Sequence, residues 1–594
     1  KKKYIIRIII LMINCSFYCF PSIIWGKNIE IGIGRVDITP KEQIRLAGYS
    51  DRDKPFDGVK MKLWADGIAF GDKDNLHFLL TVDLVGIPGR LTREVRDSLS
   101  KILGVENLQL SICAAHNHSA PSIGNLIAHY NNPLKEWELA AAALYADDLR
   151  SKLIEVALKA FKNREECNIL VAYGEVDFAV NRRLYLNPEG RTDHSLPVMR
   201  IVNKDGDMKA VIVNYACHAV THGPENNYVH GDWVGEAKIQ IEQHHPGAIA
   251  MVTIGCGADQ NSSPRMNTKN PELNFEYTFN QGKKIADEVE RLINDKRTWK
   301  NIDNPPKGNL IFKTLYFANK PNIRKLANDA SGNGRTANYS KLILDRMARS
   351  ELDMDFQYPI QVWNFGDDYS MVFLGGEVVV DYGLILKSIL GKENVWINGY
   401  SNDIQCYIPT RQVLNEGGYE AWGAMIGYER PSPLKPEVEE TVLQGVFDLL
   451  PEKIQKKLIL RNGSDGRITL PSKRGKASGP NIKFMPEWEA FGWFRSDDRV
   501  VWNVDVLKSG IYEVYIEWSV SDEEAGKEFI IEANGSSLQN KVPKSGGWEK
   551  YKQQNVGKIT LKPGKQFITF RPYGSFGKDK ALLDIRGLTF IPVK

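Results

Sequence analysis

Between about residues 30 and 450, short apolar runs alternate with amphipathic segments, and this alternation restricts the possible fold more than any other feature. Runs that are apolar on both faces predict buried strands, and buried strands that alternate with helices are typical of α/β proteins. We therefore predict an α/β domain over residues 27–450, with a mixed, largely buried β-sheet flanked by helices. The predicted strands are Phe78–Leu84, Leu108–Ala115, Ala210–Ala216, Ile249–Gly255, Met371–Gly375 and Val395–Gly399, and the clearest predicted helix is Leu134–Phe161.

The sequence changes character near residue 451. Residues 451–475 are polar and rich in Gly, Lys and Ser, which predicts a linker. Residues 476–594 contain short alternating runs separated by Gly, Asp or Pro, the pattern of a smaller all-β sandwich domain. Its tryptophans suggest a carbohydrate-binding role, although Trp502 and Trp518 on alternating strands are expected in the core. These tryptophans are Trp488, Trp493, Trp502, Trp518 and Trp548.

The first 26 residues have a basic start, an apolar run and then Pro21, which is the pattern of a signal peptide. This predicts a secreted or periplasmic protein. The alternative, a membrane anchor, is disfavoured by the shortness of the run and by Pro21. Basic residues at positions 1–3 and 7 account for the whole net charge of +4. The remaining chain is balanced in charge, and nothing in it indicates nucleic acid or an anionic membrane as a partner.

Polar residues follow five of the predicted strands at the point where each strand ends. Ligands of open α/β sheets bind beyond the carboxyl ends of the strands, so these residues are expected to lie close together. The ten histidines all fall between His77 and His245, which also favours a site in the first domain. The residues at the five ends are His116, His218, the loop 255–264, Glu377 and Tyr407.

Two imidazoles, a carboxylate and a phenol at these ends suit a zinc ion that keeps an open position for water or substrate. We predict a Zn²⁺ cofactor bound by His116, His218, Glu377 and Tyr407. Each residue has a structural alternative when taken singly. A histidine after a strand is often hydrogen-bonded in a loop, Glu377 after two glycines suits a helix cap, and tyrosinate is an uncommon ligand.

Several motifs then point to a known family. GIGRVDITP, AHNHSAP, NRRLY, NYACHAVTHG, GGEVVVDYG, SNDIQCYIPT and GGYEA occur at intervals over about residues 30–450. In order and context they resemble the motifs of the neutral/alkaline, non-lysosomal ceramidases, whose catalytic domain is a zinc amidohydrolase. A barrel amidohydrolase would also use His-x-His, but it would require further histidines late in the chain.

The resemblance assigns roles to individual residues. It implies that His116 is a metal ligand and His118 a catalytic partner that moves a proton to the leaving group. Tyr419 matches the tyrosine that binds the oxyanion, and Arg182 matches the arginine near the reacting carbonyl, with the adjacent Arg183 as the alternative. Each well-placed donor to an oxyanion contributes roughly 3–4 kcal/mol. The remaining ligands match His218, Glu377 and Tyr407.

One loop departs from the family pattern. The family carries a serine, a proposed nucleophile, where this chain has Gln260, and Ser262 or Ser263 would replace it only in a shifted register. The departure favours a metal-activated water over a serine nucleophile. Asp259 beside Gln260 is predicted to bind a substrate hydroxyl or to act as a base.

These observations predict a secreted zinc-dependent hydrolase that cleaves an N-acyl amide or ester on a small molecule, an oligosaccharide, a glycan or a glycolipid. The polar surroundings of His222, His230 and Asp232 favour a sugar over a long acyl chain. Two alternatives stay open. One is a polysaccharide lyase or other enzyme that cleaves uronate-containing glycans by His/Tyr acid–base chemistry, and the other is a non-catalytic glycan-binding protein. Asp83 is expected either to orient a ligand histidine or to cap a loop.

Overall fold

The computed structural model describes residues 28–593 apart from 124–125, 127–130, 189, 296 and 578, so the predicted signal peptide lies outside the described residues. In the described part, the helices are α1 (Gly89–Leu103), α2 (Glu136–Lys162), α3 (Asp232–His244), α4 (Leu273–Asn294), α5 (Ile323–Ala330), α6 (Arg335–Ala348), α7 (Val380–Leu390), α8 (Arg411–Glu416), α9 (Val438–Asp448) and α10 (Glu452–Leu458). None of these helices is both long and apolar enough to cross a membrane.

Nineteen of the strands in the described residues precede residue 450. They are β1 (Ile29–Asp37), β2 (Gly58–Val59), β3 (Trp64–Phe70), β4 (His77–Val82), β5 (Leu110–Ala114), β6 (Glu165–Glu175), β7 (Ala179–Asn181), β8 (Ser195–Asn203), β9 (Met208–Tyr215), β10 (Tyr228–Val229), β11 (Ile249–Ile254), β12 (Gln260–Ser262), β13 (Lys300–Ile302), β14 (Lys307–Tyr316), β15 (Asp355–Asn364), β16 (Ser370–Leu374), β17 (Glu377–Val378), β18 (Val395–Asn398) and β19 (Tyr407–Ile408).

The N-terminal domain is built in layers around two sheets. A mixed nine-stranded sheet has the order β11-β9-β8-β6-β1-β3-β4-β5, with β13 beside β6, and a four-stranded sheet has the order β14-β15-β16-β18. Side chains such as Met199 and Trp363 fill the space between the two sheets. Helices α2, α3 and α4 cover the larger sheet, and α7 and α9 cover the smaller one. The predicted α/β class with a mixed, largely buried sheet is confirmed.

The GIGRVD motif explains how closely α2 packs on the sheet. A Cβ atom at Gly32 would lie 2.0 Å from the carbonyl oxygen of Ala160, and one at Gly34 would lie 2.7 Å from that of Val156. The helix backbone therefore rests directly on β1, and only glycine leaves the necessary space. Leu149 and Leu153 of α2 are buried in the same core.

A short segment brings distant strand ends together. Residues 399–402 follow β18 and hydrogen-bond to both outer strands of the larger sheet. Gly399 donates to Ile254 at the end of β11 (2.9 Å), and Ala114 at the end of β5 donates to Tyr400 (3.1 Å). The segments that follow β5, β9, β11, β16 and β18 consequently meet at one place, as predicted from the strand-end rule.

The C-terminal domain is a sandwich of two six-stranded sheets that enclose a separate core. Trp502 and Trp518 are fully buried in that core, whereas Trp493 is 56% exposed. The strands are β20 (Ile459–Arg461), β21 (Ile468–Pro471), β22 (Lys476–Ser478), β23 (Lys483–Met485), β24 (Ala490–Gly492), β25 (Arg499–Val506), β26 (Gly510–Val520), β27 (Glu528–Ala533), β28 (Ser536–Lys541), β29 (Gly547–Leu561), β30 (Gly564–Pro572) and β31 (Asp584–Pro592).

Residues 451–475 are not the flexible linker that their composition predicts. The segment begins with α10, and its two strands belong to the sandwich, with β20 beside β25 and β21 beside β31. Ile468 and Leu470 alternate with polar residues, and both side chains are buried in the sandwich core. Thr469 between them is exposed, and the polar residues 462–467 form the turn between β20 and β21.

Candidate metal centre and active site

Two histidines enter the site from the ends of β5 and β9. His116 lies two residues after β5 and adopts a left-handed backbone conformation (φ 48°), which is uncommon for a residue other than glycine. Its Nδ1 donates to the carbonyl oxygen of Val85 (2.8 Å), and Nδ1 of His218 donates to that of Gly257 (2.7 Å). Because each Nδ1 carries the proton, each Nε2 presents an unprotonated lone pair.

These two lone pairs converge on one carboxylate. Oε2 of Glu377 lies 3.2 Å from Nε2 of His116 and 3.3 Å from Nε2 of His218. All three side chains are buried, and neither Nε2 of His218 nor Oε2 of Glu377 makes a hydrogen bond. Buried acceptors that face one another without a donor are unfavourable. A divalent cation between them removes the conflict, so the residues present fit the predicted zinc ion.

His118 lies beside this centre. Its Nε2 is 3.2 Å from Nε2 of His116, and His116, His118 and His218 offer ligand atoms that all lie within 4.8 Å of one another. Burial, together with the other two histidines, lowers the pKa of His118 well below its ordinary value. The imidazole is therefore neutral near pH 7, and it can act as a ligand or accept a proton.

The charge states of the centre follow from burial and from mutual contacts. Burial, followed by His116 and Arg182, lowers the pKa of His218 to about 4. Burial alone would raise the pKa of Glu377, but His116 and His218, when an Nε2 is protonated and donates to the carboxylate, more than offset it and lower that pKa well below its usual range. A neutral imidazole and an ionised carboxylate are the forms that bind zinc.

Glu377 and Tyr407 occupy one pair of short parallel strands. β17 pairs with β19 so that these two residues lie side by side. The Tyr407 hydroxyl accepts from Nη2 of Arg182 (3.0 Å), while Tyr428 donates to Oε1 of Glu377. Burial and the Glu377 carboxylate raise the pKa of Tyr407 well above its ordinary value. Tyr407 would therefore need a cation at the centre in order to bind as tyrosinate.

The structure distinguishes Arg182 from Arg183. Both donate to the buried carboxylate of Glu420, from Nε of Arg182 at 2.7 Å and from Nη1 of Arg183 at 2.6 Å. Arg182 also lies over the rings of Tyr407 (5.8 Å) and Tyr419 (5.2 Å). Arg183 instead turns away to Glu416 (2.9 Å). Arg182 is thus the arginine that faces the centre, and the half-exposed Tyr419 stands beside it.

The structure does not bring the polar side-chain atoms of Asp259 and Gln260 to the histidine–carboxylate cluster. Oδ1 of Asp259 accepts from the backbone of Val380 at the start of α7 (2.9 Å), and Nε2 of Gln260 donates to the carbonyl oxygen of Arg191 (3.2 Å). Side chains alternate along β12, so Asn261 takes the face toward Arg182. Oδ1 of Asn261 lies 3.5 Å from Nη1 of Arg182.

Three further expectations from the sequence have different outcomes. Asp83 orients no histidine: it pairs with Nζ of Lys238 (3.0 Å) and accepts from the backbone of Trp64 (2.9 Å). His222 and His230 are buried in a separate group 4.6 Å apart between ring centres, near Phe275. Ser262 is buried and accepts from Thr221, whereas Ser263 is exposed.

Sequence reasoning missed three contributors to the site. Glu420 holds Arg182, Tyr428 donates to Glu377, and the ring of Tyr400 stacks on His116 at 4.3 Å. Glu420 lies within the GGYEA motif next to Tyr419, and this position could have indicated that it belongs to the site. Tyr428 has no distinguishing pattern around it, and Tyr400 reaches His116 only because of the path of residues 399–402.

The fold and this cluster define an α/β protein with a buried histidine–carboxylate centre suited to a divalent metal. Residues 29–263 match the family model described as "Neutral/alkaline non-lysosomal ceramidase, N-terminal". Over this region the chain is similar to the neutral/alkaline ceramidase family, as its motifs suggested.

Individual relatives show the same similarity. Over 250 residues, 39% of this chain and 34% of the relative, it is 24% identical to neutral ceramidase A of Dictyostelium discoideum. It is 26% identical to neutral ceramidase of Drosophila melanogaster over 39% of this chain and 36% of that protein. The matched region thus spans about a third of these curated relatives. The crystal structure of neutral ceramidase from Pseudomonas aeruginosa shares the fold over 93% of this chain and 94% of that one, with a TM-score of 0.56 and 15% identity.

Proposed function

We propose that the protein is a metal-dependent hydrolase that cleaves an N-acyl amide. His116, His218 and Glu377 would hold a zinc ion, with Tyr407 as a further ligand. The observation that carries this proposal is the convergence of buried, unbonded acceptor atoms on one point, at the strand ends of a ceramidase-type domain. A zinc ion bound there would activate water and polarise the acyl oxygen of the substrate.

The surrounding side chains supply the remaining chemistry. Arg182 and Tyr419 present donors beside Tyr407, where they would stabilise negative charge that develops on the acyl oxygen. The neutral imidazole of His118 would take the proton released by the attacking water and give it to the leaving nitrogen. Glu420 keeps Arg182 in place without reaching the substrate itself.

For the substrate, we propose an amide-linked acyl group on a polar, sugar-bearing head group. Charged groups lie around Tyr49, whose ring packs edge-on against His118 at 5.0 Å between ring centres. Arg265 and Asp232 both act electrostatically on the Tyr49 hydroxyl. In the sandwich, the exposed Trp493 offers an aromatic surface for sugar, which supports the proposal that this domain binds carbohydrate. The comparisons give no support to the polysaccharide lyase alternative or to a purely binding function.

A substrate panel tests this proposal. The full chain, loaded with zinc, would be given an N-acyl sphingosine, its glycosylated counterpart, an N-acetylated oligosaccharide and a uronate-containing oligosaccharide. We expect fatty acid release from the glycosylated N-acyl lipid to be fastest, and a chelator to abolish it. Faster turnover of the unglycosylated lipid would refute the head-group proposal alone. Formation of unsaturated uronate without acyl release would refute the hydrolase proposal.

The position of Asp259 predicts that it is not the catalytic base. Asp259→Asn keeps the acceptor oxygen for Val380, so we expect hydrolysis to fall by less than about tenfold, whereas a general base contributes roughly 10²–10⁴-fold. Initial rates at saturating substrate would provide the measurement. A loss of rate above about a hundredfold in a folded, zinc-replete variant would show that Asp259 takes part in the reaction.

The same variant has a defined effect on stability. Burial, with Asp381 and Glu420, raises the pKa of Asp259 from 3.8 to about 7. The folded protein therefore binds this proton more tightly than the unfolded chain does, and wild-type stability falls as pH rises from about 4 to 7. Asp259→Asn removes this penalty. The melting temperature of the variant minus that of wild type should therefore increase as pH rises from about 4 to 7 and then level off. A difference in melting temperature that does not change with pH would contradict the raised pKa of Asp259.

A further inference from the structure

The sandwich domain places a buried arginine against the N-terminal domain. Arg499, the first residue of β25, is only 1% exposed. Its Nη1 lies 2.9 Å from Oε1 of Glu439, and its Nη2 lies 3.5 Å from Oδ2 of Asp381 and donates to Gln412 (3.2 Å). All three partners belong to the N-terminal domain, so the guanidinium is a charge that one domain supplies to the other.

Asp381 links this arginine to the strands that carry two predicted metal ligands. It lies in the first turn of α7, four residues after Glu377. Its Oδ2 also accepts from Oγ1 of Thr410 (3.1 Å). Thr410 caps α8 and lies three residues after Tyr407. One carboxylate thus joins the chain just beyond β17 to the chain just beyond β19, and two guanidinium groups contact it, Arg191 of the N-terminal domain on Oδ1 and Arg499 of the sandwich on Oδ2.

A second ion pair crosses the same boundary with the opposite polarity. Nε of Arg411, the first residue of α8, lies 3.0 Å from Oε1 of Glu532 in the sandwich. Glu532 is itself held by two hydrogen bonds from Arg571, at 2.9 and 3.0 Å. The backbone of Arg411 also donates to Glu439, which Arg499 contacts on its other oxygen. The first turns of α7 and α8 are therefore both fixed by buried charges of the sandwich.

We propose that Arg499 is a positioning residue for the metal centre and that the sandwich is a structural part of the active site. The strand pair that presents Glu377 and Tyr407 is only two residues long, and by itself it makes few hydrogen bonds. A buried carboxylate that loses its counter-ion rearranges or admits water. Without Arg499, Asp381 would keep only Arg191, and the buried Glu439, which holds the backbone of Arg411 at the start of α8, would lose its guanidinium partner. The starts of α7 and α8 would then shift, and the two ligands would separate. This inference rests on the proposed metal centre.

Two readouts on the full-length chain test the inference. Arg499→Met removes the charge and keeps a similar side-chain length. Arg499→Lys keeps the charge but lacks the guanidinium group that contacts two carboxylates at once. The control is Arg461→Met, because Arg461 is an exposed sandwich arginine whose ion pair is with Asp505 of the same domain. We expect the Arg499→Met protein to bind Zn²⁺ at least about tenfold more weakly, in the range seen when supporting contacts of a metal site are lost. Competition with a chromophoric chelator measures this affinity.

Hydrogen exchange in the metal-free protein provides the second readout. The amides of Glu377 and Val379 donate to residues of the 406–408 segment. We expect Arg499→Met to speed exchange in peptides that cover 377–382 and 407–412, with a smaller effect in Arg499→Lys and none in the Arg461→Met control. If Arg499→Met does not fold, zinc affinity and hydrogen exchange would be measured on Arg499→Lys instead.

The outcomes separate this inference from the proposed function. A lower melting temperature with unchanged zinc affinity and unchanged exchange in both peptides would overturn the inference and leave Arg499 as a purely structural contact. If wild type binds no zinc, the proposed metal centre fails. The exchange measurement would then still show whether the sandwich fixes the β17–β19 pair.

Discussion

Replacing His218 with alanine is expected to abolish both zinc binding and amide hydrolysis. Nε2 of His218 is buried, unbonded and directed at Glu377, so its removal deletes a ligand and leaves the carboxylate without a partner on that side. The cost should exceed the roughly 10–100-fold loss that follows when only an outer partner of a metal ligand is removed. Metal content after exhaustive dialysis and the initial rate of acyl release would be measured on the same sample.

A matched histidine controls for general damage. His245→Ala removes a half-buried histidine that pairs with Glu290 (2.5 Å), and it should change neither zinc content nor rate. If His218→Ala does not fold, Glu377→Gln keeps the shape of the side chain and the acceptor for Tyr428 while removing the charge. Full zinc occupancy and near-wild-type turnover in both folded variants would exclude this cluster as the reaction centre.

The second large effect is expected at Arg182. Arg182→Lys keeps the positive charge, but a lysine cannot reach Glu420 and Tyr407 together as the guanidinium does. We expect kcat to fall by roughly 10²–10³, the cost of losing one donor to a developing oxyanion. Zinc content should not change, because Arg182 is not among the ligands.

Arg183 is the internal comparison for that experiment. It shares Glu420 with Arg182 but extends toward Glu416, away from the cluster. Arg183→Lys should lower the melting temperature, because it disturbs a buried ion pair, and should change kcat by less than about threefold. The opposite ranking of the two variants in kcat would mean that Arg183 is the residue that faces the acyl group.

Much of the site was predictable because its residues follow apolar runs that read clearly as strands. His116 lies two residues after β5 and His218 three residues after β9, and the tendency of α/β sheets to bind ligands at strand ends predicted that they lie together. Glu377 followed from the same rule. The class of the fold was predictable for the same reason, since buried strands and amphipathic helices leave strong periodic signals.

What the sequence did not reveal depends on side-chain direction and on long-range contacts. The GADQN loop suggested Gln260 as the residue at the reacting centre, but alternation along β12 turns Gln260 inward. The mistaken linker has a similar cause, because isolated apolar residues such as Ile468 give little signal within a polar stretch. The ion pair between Asp381 and Arg499 joins residues far apart in the chain, and no local sequence pattern indicates it.

The most direct test of the central claim is anomalous diffraction at the zinc edge from crystals of the full chain grown with Zn²⁺. The account predicts one strong peak between Nε2 of His116, Nε2 of His218 and Oε2 of Glu377, at about 2.0–2.2 Å from each atom. Crystals in which zinc binds only elsewhere on the protein, with the three side chains still facing one another around an empty centre, would contradict it.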